Sequence, residues 1–125
     1  MPHTILIVDD EPVARTLAQK QVAEKGYVTV TASNGEEALA ALEKNKPDLI
    51  LLDVEMPKMN GYTFVGELAK KNYNPRIPVI VLTAHEELGP IFKRHGVRGY
   101  LIKPLNIDLV LSKIQEILGP NPTPR

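Results

Sequence analysis

Three aspartates, a threonine and a lysine carry the chemistry that this chain of 125 residues offers. They stand in four short patches: Asp9-Asp10, Asp53, Thr83 and Lys103-Pro104. Each patch follows an apolar run rich in β-branched residues: Ile5 to Val8, Leu49 to Leu52, Val79 to Leu82, and Tyr100 to Ile102. In an open parallel sheet the carboxyl ends of the strands share one edge, and ligands bind there. That edge would hold three carboxylates, a hydroxyl and an ammonium. Crowded carboxylates repel one another unless a cation lies among them. The set therefore points to a divalent metal and, beside the lysine, to an anionic group that comes and goes.

Each patch has a plain explanation when taken alone. Asp53 could cap a loop. Asp9 or Asp10 could cap the next helix, where an acidic residue meets the positive end of the helix dipole. Thr83 could reflect strand propensity, and Lys103 could be a solvated lysine before a helix-start proline. Four such accidents would each have to fall at the end of a strand, which favours the joint functional reading.

The elements that must position these residues alternate strand and helix. Strands are expected over Thr4 to Val8, Val28 to Ala32, Asp48 to Leu52, Ile77 to Leu82 and Arg98 to Ile102. The first, third and fourth are almost unbroken apolar runs, as in strands covered by helices on both faces. The first helix is opened by Asp10 and Pro12, carries Val13, Leu17 and Val22 with Ala14 and Ala18, and stops at Gly26. The second starts at Ser33-Asn34, where Ser33 and Glu36 have the spacing of a capping box, and runs to about Asn45. The third runs from near Gly61, after a turn at Met56-Pro57, and ends before Asn74-Pro75. A short, weak helix near Pro90 lies in the stretch up to His95, because Gly89-Pro90 interrupts it and proline fits only a first turn. The last helix spans about Asn106 to Leu118. The whole reads as one doubly wound α/β domain, 1–120, followed by a Pro-rich tail, 121–125, that is either a disordered terminus or the start of a linker.

Bulk properties narrow the function. Acidic and basic residues balance at 15 each, with no Lys/Arg block, so direct nucleic-acid binding is not expected. No apolar run reaches the roughly 20 residues of a membrane span, and Asp9-Asp10 cut short the first one. Cysteine is absent, which excludes disulfides, thiolate nucleophiles and Cys-based zinc sites and is compatible with a cytoplasmic location. The three histidines, His3, His85 and His95, have no metal-site spacing.

With these motifs in place, the chain resembles the receiver domains of bacterial response regulators, the chemotaxis-regulator-like family, over nearly all of Thr4 to Leu118. The motifs that carry the resemblance are the acidic pair after the first strand and Asp-x-x-Met-Pro-x-Met-x-Gly from Asp53 to Gly61. Thr83-Ala84 and Lys103-Pro104 complete it. The resemblance implies a flavodoxin-like (βα)5 fold with strand order 2-1-3-4-5. It implies that Asp53 is the phospho-acceptor, fed by a histidine kinase or phosphotransfer protein. Asp9, Asp10 and Asp53 with the backbone carbonyl of Glu55 would bind Mg²⁺ (or Mn²⁺), Asp10 being the direct ligand of the acidic pair. The all-oxygen donor set suits these ions and not zinc. Thr83 and Lys103 would contact the phosphoryl oxygens, Tyr100 would swing inward when Thr83 moves, and the Lys103-Pro104 bond would be cis. Partners would bind the face formed by the fourth helix, the fifth strand and the fifth helix. The protein would catalyse only its own phosphorylation and dephosphorylation, as a signalling switch. It would stand alone or form part of a larger regulator with an output domain.

Glu55 and His85, two residues after Asp53 and Thr83, are placed by the resemblance beside the path of the water that hydrolyses the acyl phosphate. Glu55 is expected to tune its lifetime, and His85 reads better as a solvated loop residue. The stretch between Thr83 and Tyr100 is about two residues shorter than the resemblance leads one to expect. The last helix carries a wide apolar stripe: Ile107, Val110, Leu111, Ile114, Ile117 and Leu118. It reads first as core, with Leu111 as a possible edge toward a partner or a phosphorylation-dependent homodimer. Two other classes fit poorly. A haloacid-dehalogenase-type phosphohydrolase needs an aspartate where Glu55 stands. A flavodoxin-like electron carrier needs a hydroxyl- and glycine-rich loop where Asp-Asp-Glu-Pro would repel a flavin phosphate. A receiver that has lost its response to phosphate is disfavoured because every reactive position is filled.

Overall fold

A computed structural model describes residues 2–56, 59–71, 73, 76–94 and 96–120, with the side chains of 55, 56 and 59–62 outside the description. Pro57, Asn74-Pro75, His95 and the tail 121–125, each singled out above, lie outside the described residues. Five parallel strands form the sheet: β1 (Thr4–Val8), β2 (Val28–Ala32), β3 (Leu49–Asp53), β4 (Val79–Thr83) and β5 (Gly99–Ile102). Their spatial order is 2-1-3-4-5. The helices are α1 (Pro12–Glu24), α2 (Gly35–Asn45), α3 (Gly61–Lys70), α4 (Gly89–Arg94) and α5 (Ile107–Leu118). Among the described residues, no helix is long and apolar enough to cross a membrane.

Strand alternation divides the core. Ile5, Ile7, Leu49, Leu51, Ile80 and Leu82 pack with Val22 of α1 and with Val110 and Ile114 of α5. Leu6, Val8, Ile50, Leu52, Val79 and Val81 pack with Ala38 and Leu42 of α2, Phe64 and Leu68 of α3, and Phe92 of α4. The unbroken apolar strands are thus covered on both faces. The central strand β3 is buried along its whole length and carries Asp53 as its last residue.

Several boundaries and contacts differ from the sequence reading. β3 starts at Leu49, because Asp48 turns its carboxylate to the Thr4 N–H at 2.8 Å. β4 starts at Val79 after Pro78, whose carbonyl accepts from Ile50 N–H. The α1 cap is Glu11, not Asp10: its Oε2 accepts from Ala14 N–H at 2.7 Å. Of the apolar set carried by α1, Val13 and Leu17 are 74% and 53% exposed, and Val22 is the buried residue of the helix. The α2 cap shifts by one residue from the Ser33/Glu36 expectation. Asn34 is the cap, and the side chain of Glu37 accepts from the Ser33 N–H and hydroxyl, both at 2.8 Å. Two short antiparallel strands, Glu55–Met56 and Met59–Asn60, were not foreseen. On α5, Val110 and Ile114 are buried and Leu111 packs against the core, in line with a core-facing stripe, while Leu109 is the helix's exposed large apolar residue at 57%.

Two outcomes test this packing. Leu42→Ala should lose about 2–5 kcal/mol, whereas exposed Leu17→Ala should change stability by less than about 0.5 kcal/mol; urea unfolding compares them. The Ser33 N–H, then its hydroxyl, hold the Glu37 carboxyl below the ordinary glutamate range. A lowered folded value gives stability that is complete above the unfolded value and lost as pH falls through the folded one. Glu37→Gln should therefore lower the thermal midpoint at pH 7, and the difference should shrink as the pH falls below the ordinary glutamate value of about 4.3.

Candidate functional site

Asp53 ends a strand buried along its whole length and is itself only 4% exposed. A carboxylate there has lost most of its water, a state that costs several kcal/mol unless charge or hydrogen bonds compensate. Lys103 supplies that compensation. It follows β5, two strands away from β3 across β4. Its long side chain spans the gap and places Nζ 2.9 Å from Asp53 Oδ2. Lys103 is fixed at its base by its own N–H, which donates to Thr83 O at 2.8 Å. The Lys103-Pro104 bond is cis.

Asp9 comes in from the end of β1. Its N–H donates to Ala32 O, its Oδ1 accepts from Glu11 N–H at 3.0 Å, and its carbonyl accepts from Arg15 Nη1 at 2.9 Å. The turn is thereby tied to the first turns of α1. Burial pushes the Asp9 carboxyl above its ordinary value, and the neighbouring Asp53 charge and side chain add to the rise. The Glu11 N–H and the Lys103 ammonium pull it back. Among the described residues, the Asp9 and Asp53 carboxylates thus lie close together with the Lys103 ammonium against Asp53.

The structure gathers Asp9, Asp53 and Lys103. Among the described residues no group of three acidic or histidine side chains is close enough to hold a metal ion by itself. The donor set still fits magnesium. That ion keeps several waters and is commonly held by one or two carboxylates together with a phosphate, rather than by an all-protein cage. Glu55 contributes backbone to the short strand that pairs with Asn60, beside the end of β3.

Thr83 is fully buried at the end of β4, and its Oγ1 accepts from His85 N–H at 3.0 Å. Strand alternation gives Thr83 the parity of Val79 and Val81, on the α4 side of the sheet. Tyr100 has the same parity, pairs with Val81, and packs against that cluster. Asp53 shares the parity of Leu49 and Leu51, on the α1/α5 side. The set thus meets at the edge from opposite faces. The His85 ring lies in the open, 3.7 Å from Glu87, in keeping with a solvated loop residue.

Two features were missed from sequence. Arg15 and Glu11 brace the Asp9 turn; the only signal was their position one helical turn apart after the acidic pair. Between α1 and α5 a groove of about 490 Å³ runs from Asp9, Asp53 and Lys103 along Leu17, Ala18 and Val110. Exposed Leu17 and Leu105 line that groove, and Val13 is exposed on α1.

The sequence matches the model of the response regulator receiver domain over residues 5–115. It is 39% identical over 119 residues to a probable transcriptional regulator, ycf27, of Pyropia yezoensis, covering 91% of this chain and 46% of that protein. It is 34% identical over 117 residues to protein PilH of Pseudomonas aeruginosa, covering 92% of this chain and 97% of that protein. The chain thus spans about half the length of curated relatives such as ycf27 and nearly all of PilH. Among solved structures, the response regulator TrrA of Thermotoga maritima, in complex with Mg²⁺ and BeF, matches with a TM-score of 0.81. That match has 36% identity and covers 92% of this chain and 98% of that one.

Lys103→Met leaves Asp53 and Asp9 with no ammonium between them. Removing one partner of a fully buried ion pair costs about 3–5 kcal/mol; since Lys103 is partly solvated, the expected loss is about 1–3 kcal/mol. Urea unfolding in EDTA measures it, and adding Asp9→Asn should restore part of the loss.

Proposed function

The chain belongs to the response regulator receiver domain family, and from that premise we propose that it is a phosphorylation-controlled switch with Asp53 as the acceptor. It acts as a signalling component and not as a metabolic enzyme. The observation that carries the acceptor assignment is the buried Asp53 carboxylate held 2.9 Å from the Lys103 ammonium, with a second carboxylate beside it.

Asp9 and Asp53 would hold Mg²⁺, with Asp10 and the Glu55 backbone carbonyl as further donors from the same edge. When bound, the ion supplies positive charge to offset the carboxylates and an incoming phosphoryl group. The chain's own residues do the rest. One Asp53 oxygen forms a bond to phosphorus while the bond from phosphorus to the donor breaks. The donor atom, a histidine nitrogen or an acyl oxygen, keeps the electron pair. Lys103 stands ready to pass its hydrogen bond from the carboxylate to a phosphoryl oxygen, stabilising charge that grows in the transition state. The product is an acyl phosphate, and its hydrolysis resets the switch.

A histidine kinase or phosphotransfer protein that delivers phosphoryl to Asp53 would lie over the exposed apolar residues Val13, Leu17 and Leu105. Thr83 would donate to a phosphoryl oxygen and draw its loop along. Tyr100 would respond, and the α4–β5–α5 face would present the change to an output partner or output domain. A cytoplasmic location suits such an exchange.

Intact-mass spectrometry after incubation with acetyl phosphate and Mg²⁺ should show one added phosphoryl group. Asp53→Asn and EDTA should each abolish it, and Lys103→Ala should slow its appearance by roughly 10²-fold. Undiminished labelling of Asp53→Asn would reject the acceptor.

A further inference from the structure

Gly89 opens α4 with φ −53° and ψ −55°, ordinary right-handed helical values. Its backbone gives no reason for glycine, and alanine is the better helix former. The reason lies in the neighbouring strand. A Cβ on Gly89 would stand 2.3 Å from Cε2, 2.4 Å from Cζ and 2.5 Å from Cδ2 of Tyr100. Carbon atoms in contact lie about 3.5–4.0 Å apart, so no side chain fits there while the ring does. Gly66 in α3 is the contrast: a Cβ there would meet nothing within 4 Å. Gly89 is buried, and the ring lies along the helix as a close-fitting edge.

Gly89 is also mechanically joined to Thr83. The Thr83 hydroxyl accepts from His85 N–H at 3.0 Å, and His85 O accepts from Leu88 N–H at 3.0 Å. The intervening residues Glu86–Leu88 form a single 3-10 turn that runs directly into Gly89. A shift of Thr83 therefore pulls on a short, hydrogen-bonded segment whose far end is the floor beneath Tyr100.

We infer that Gly89 is a positioning residue: the absence of a side chain at the start of α4 makes a notch that holds the Tyr100 ring in its resting place, and displacement of Gly89 through the Thr83–His85–Leu88 links is what moves the ring. The second half rests on the reading of Asp53 as phospho-acceptor; the notch itself does not.

The test is a double-mutant cycle with Gly89→Ala and Tyr100→Ala, read by thermal midpoint, together with nitration of Tyr100 by tetranitromethane mapped by mass spectrometry. Gly89→Ala should lower the midpoint by several degrees in the parent protein. In the Tyr100→Ala background it should leave the midpoint unchanged or raise it, since the clash is gone and alanine favours the helix. If Gly89→Ala alone fails to fold, recovery of the fold by adding Tyr100→Ala gives the same answer. Tyr100 should be nitrated several-fold faster in Gly89→Ala than in the parent. Equal destabilisation in both backgrounds, or unchanged Tyr100 reactivity, overturns the notch. Mg²⁺ with beryllofluoride should change Tyr100 reactivity in the parent and leave Gly89→Ala near its already altered value. An unchanged parent, when the same protein still takes phosphoryl from acetyl phosphate, overturns the link to Thr83. A parent that takes no phosphoryl group overturns the acceptor reading and leaves the notch standing.

Discussion

A carboxylate at the end of a strand buried along its whole length is the constraint around which this domain is arranged. Asp53 is almost fully out of water and has Asp9 beside it. Like charges in that setting need a nearby cation, and the Lys103 ammonium at 2.9 Å provides one. Removing any of these three groups changes the charge balance felt by the other two, so their placement has to be held by the fold.

The rest of the fold serves to keep those groups in place. β1, β3 and β4 are held by apolar contacts on both faces, so the strand ends cannot drift relative to one another. Asp9 is pinned by the Glu11 N–H and by Arg15, and Lys103 by its backbone bond to Thr83. Thr83 is also anchored to the loop that follows through its hydroxyl, and that loop is a single 3-10 turn ending at a short α4. Tyr100 leans on the first residue of that helix. Asp53 and Tyr100 lie on opposite faces of the sheet, and Thr83 ends the strand that runs between theirs.

Much of this was legible in the residues. Apolar runs rich in β-branched residues identified β1, β3 and β4, since strands covered on both faces read as near-continuous apolar stretches. The edge strands β2 and β5 were legible from stretches of strand-favouring residues. Asp53, Thr83 and Lys103 could be assigned to one edge because each follows such a run. The apolar face of α5 was readable for the same reason, and Val110 and Ile114 are indeed buried. The cap of α2 was misassigned because Ser33 and Asn34 are both good capping residues, and only the backbone decides which one turns. The exposure of Val13 and Leu17 could not be read from the sequence, because helical spacing tells which residues share a face, not whether another element covers that face.

Sequence by itself determined the alternation of strand and helix, the chemistry delivered to the strand ends, and the absence of thiol chemistry, because these follow from residue type and short-range periodicity. The tertiary structure alone decided that Asp9 comes to lie beside Asp53, that Lys103 reaches across β4 to Asp53, and that the Tyr100 ring fills the space a side chain on Gly89 would need. Those relations join residues tens of positions apart, and their distances are set by how strands register and helices pack, which no local pattern in the chain encodes.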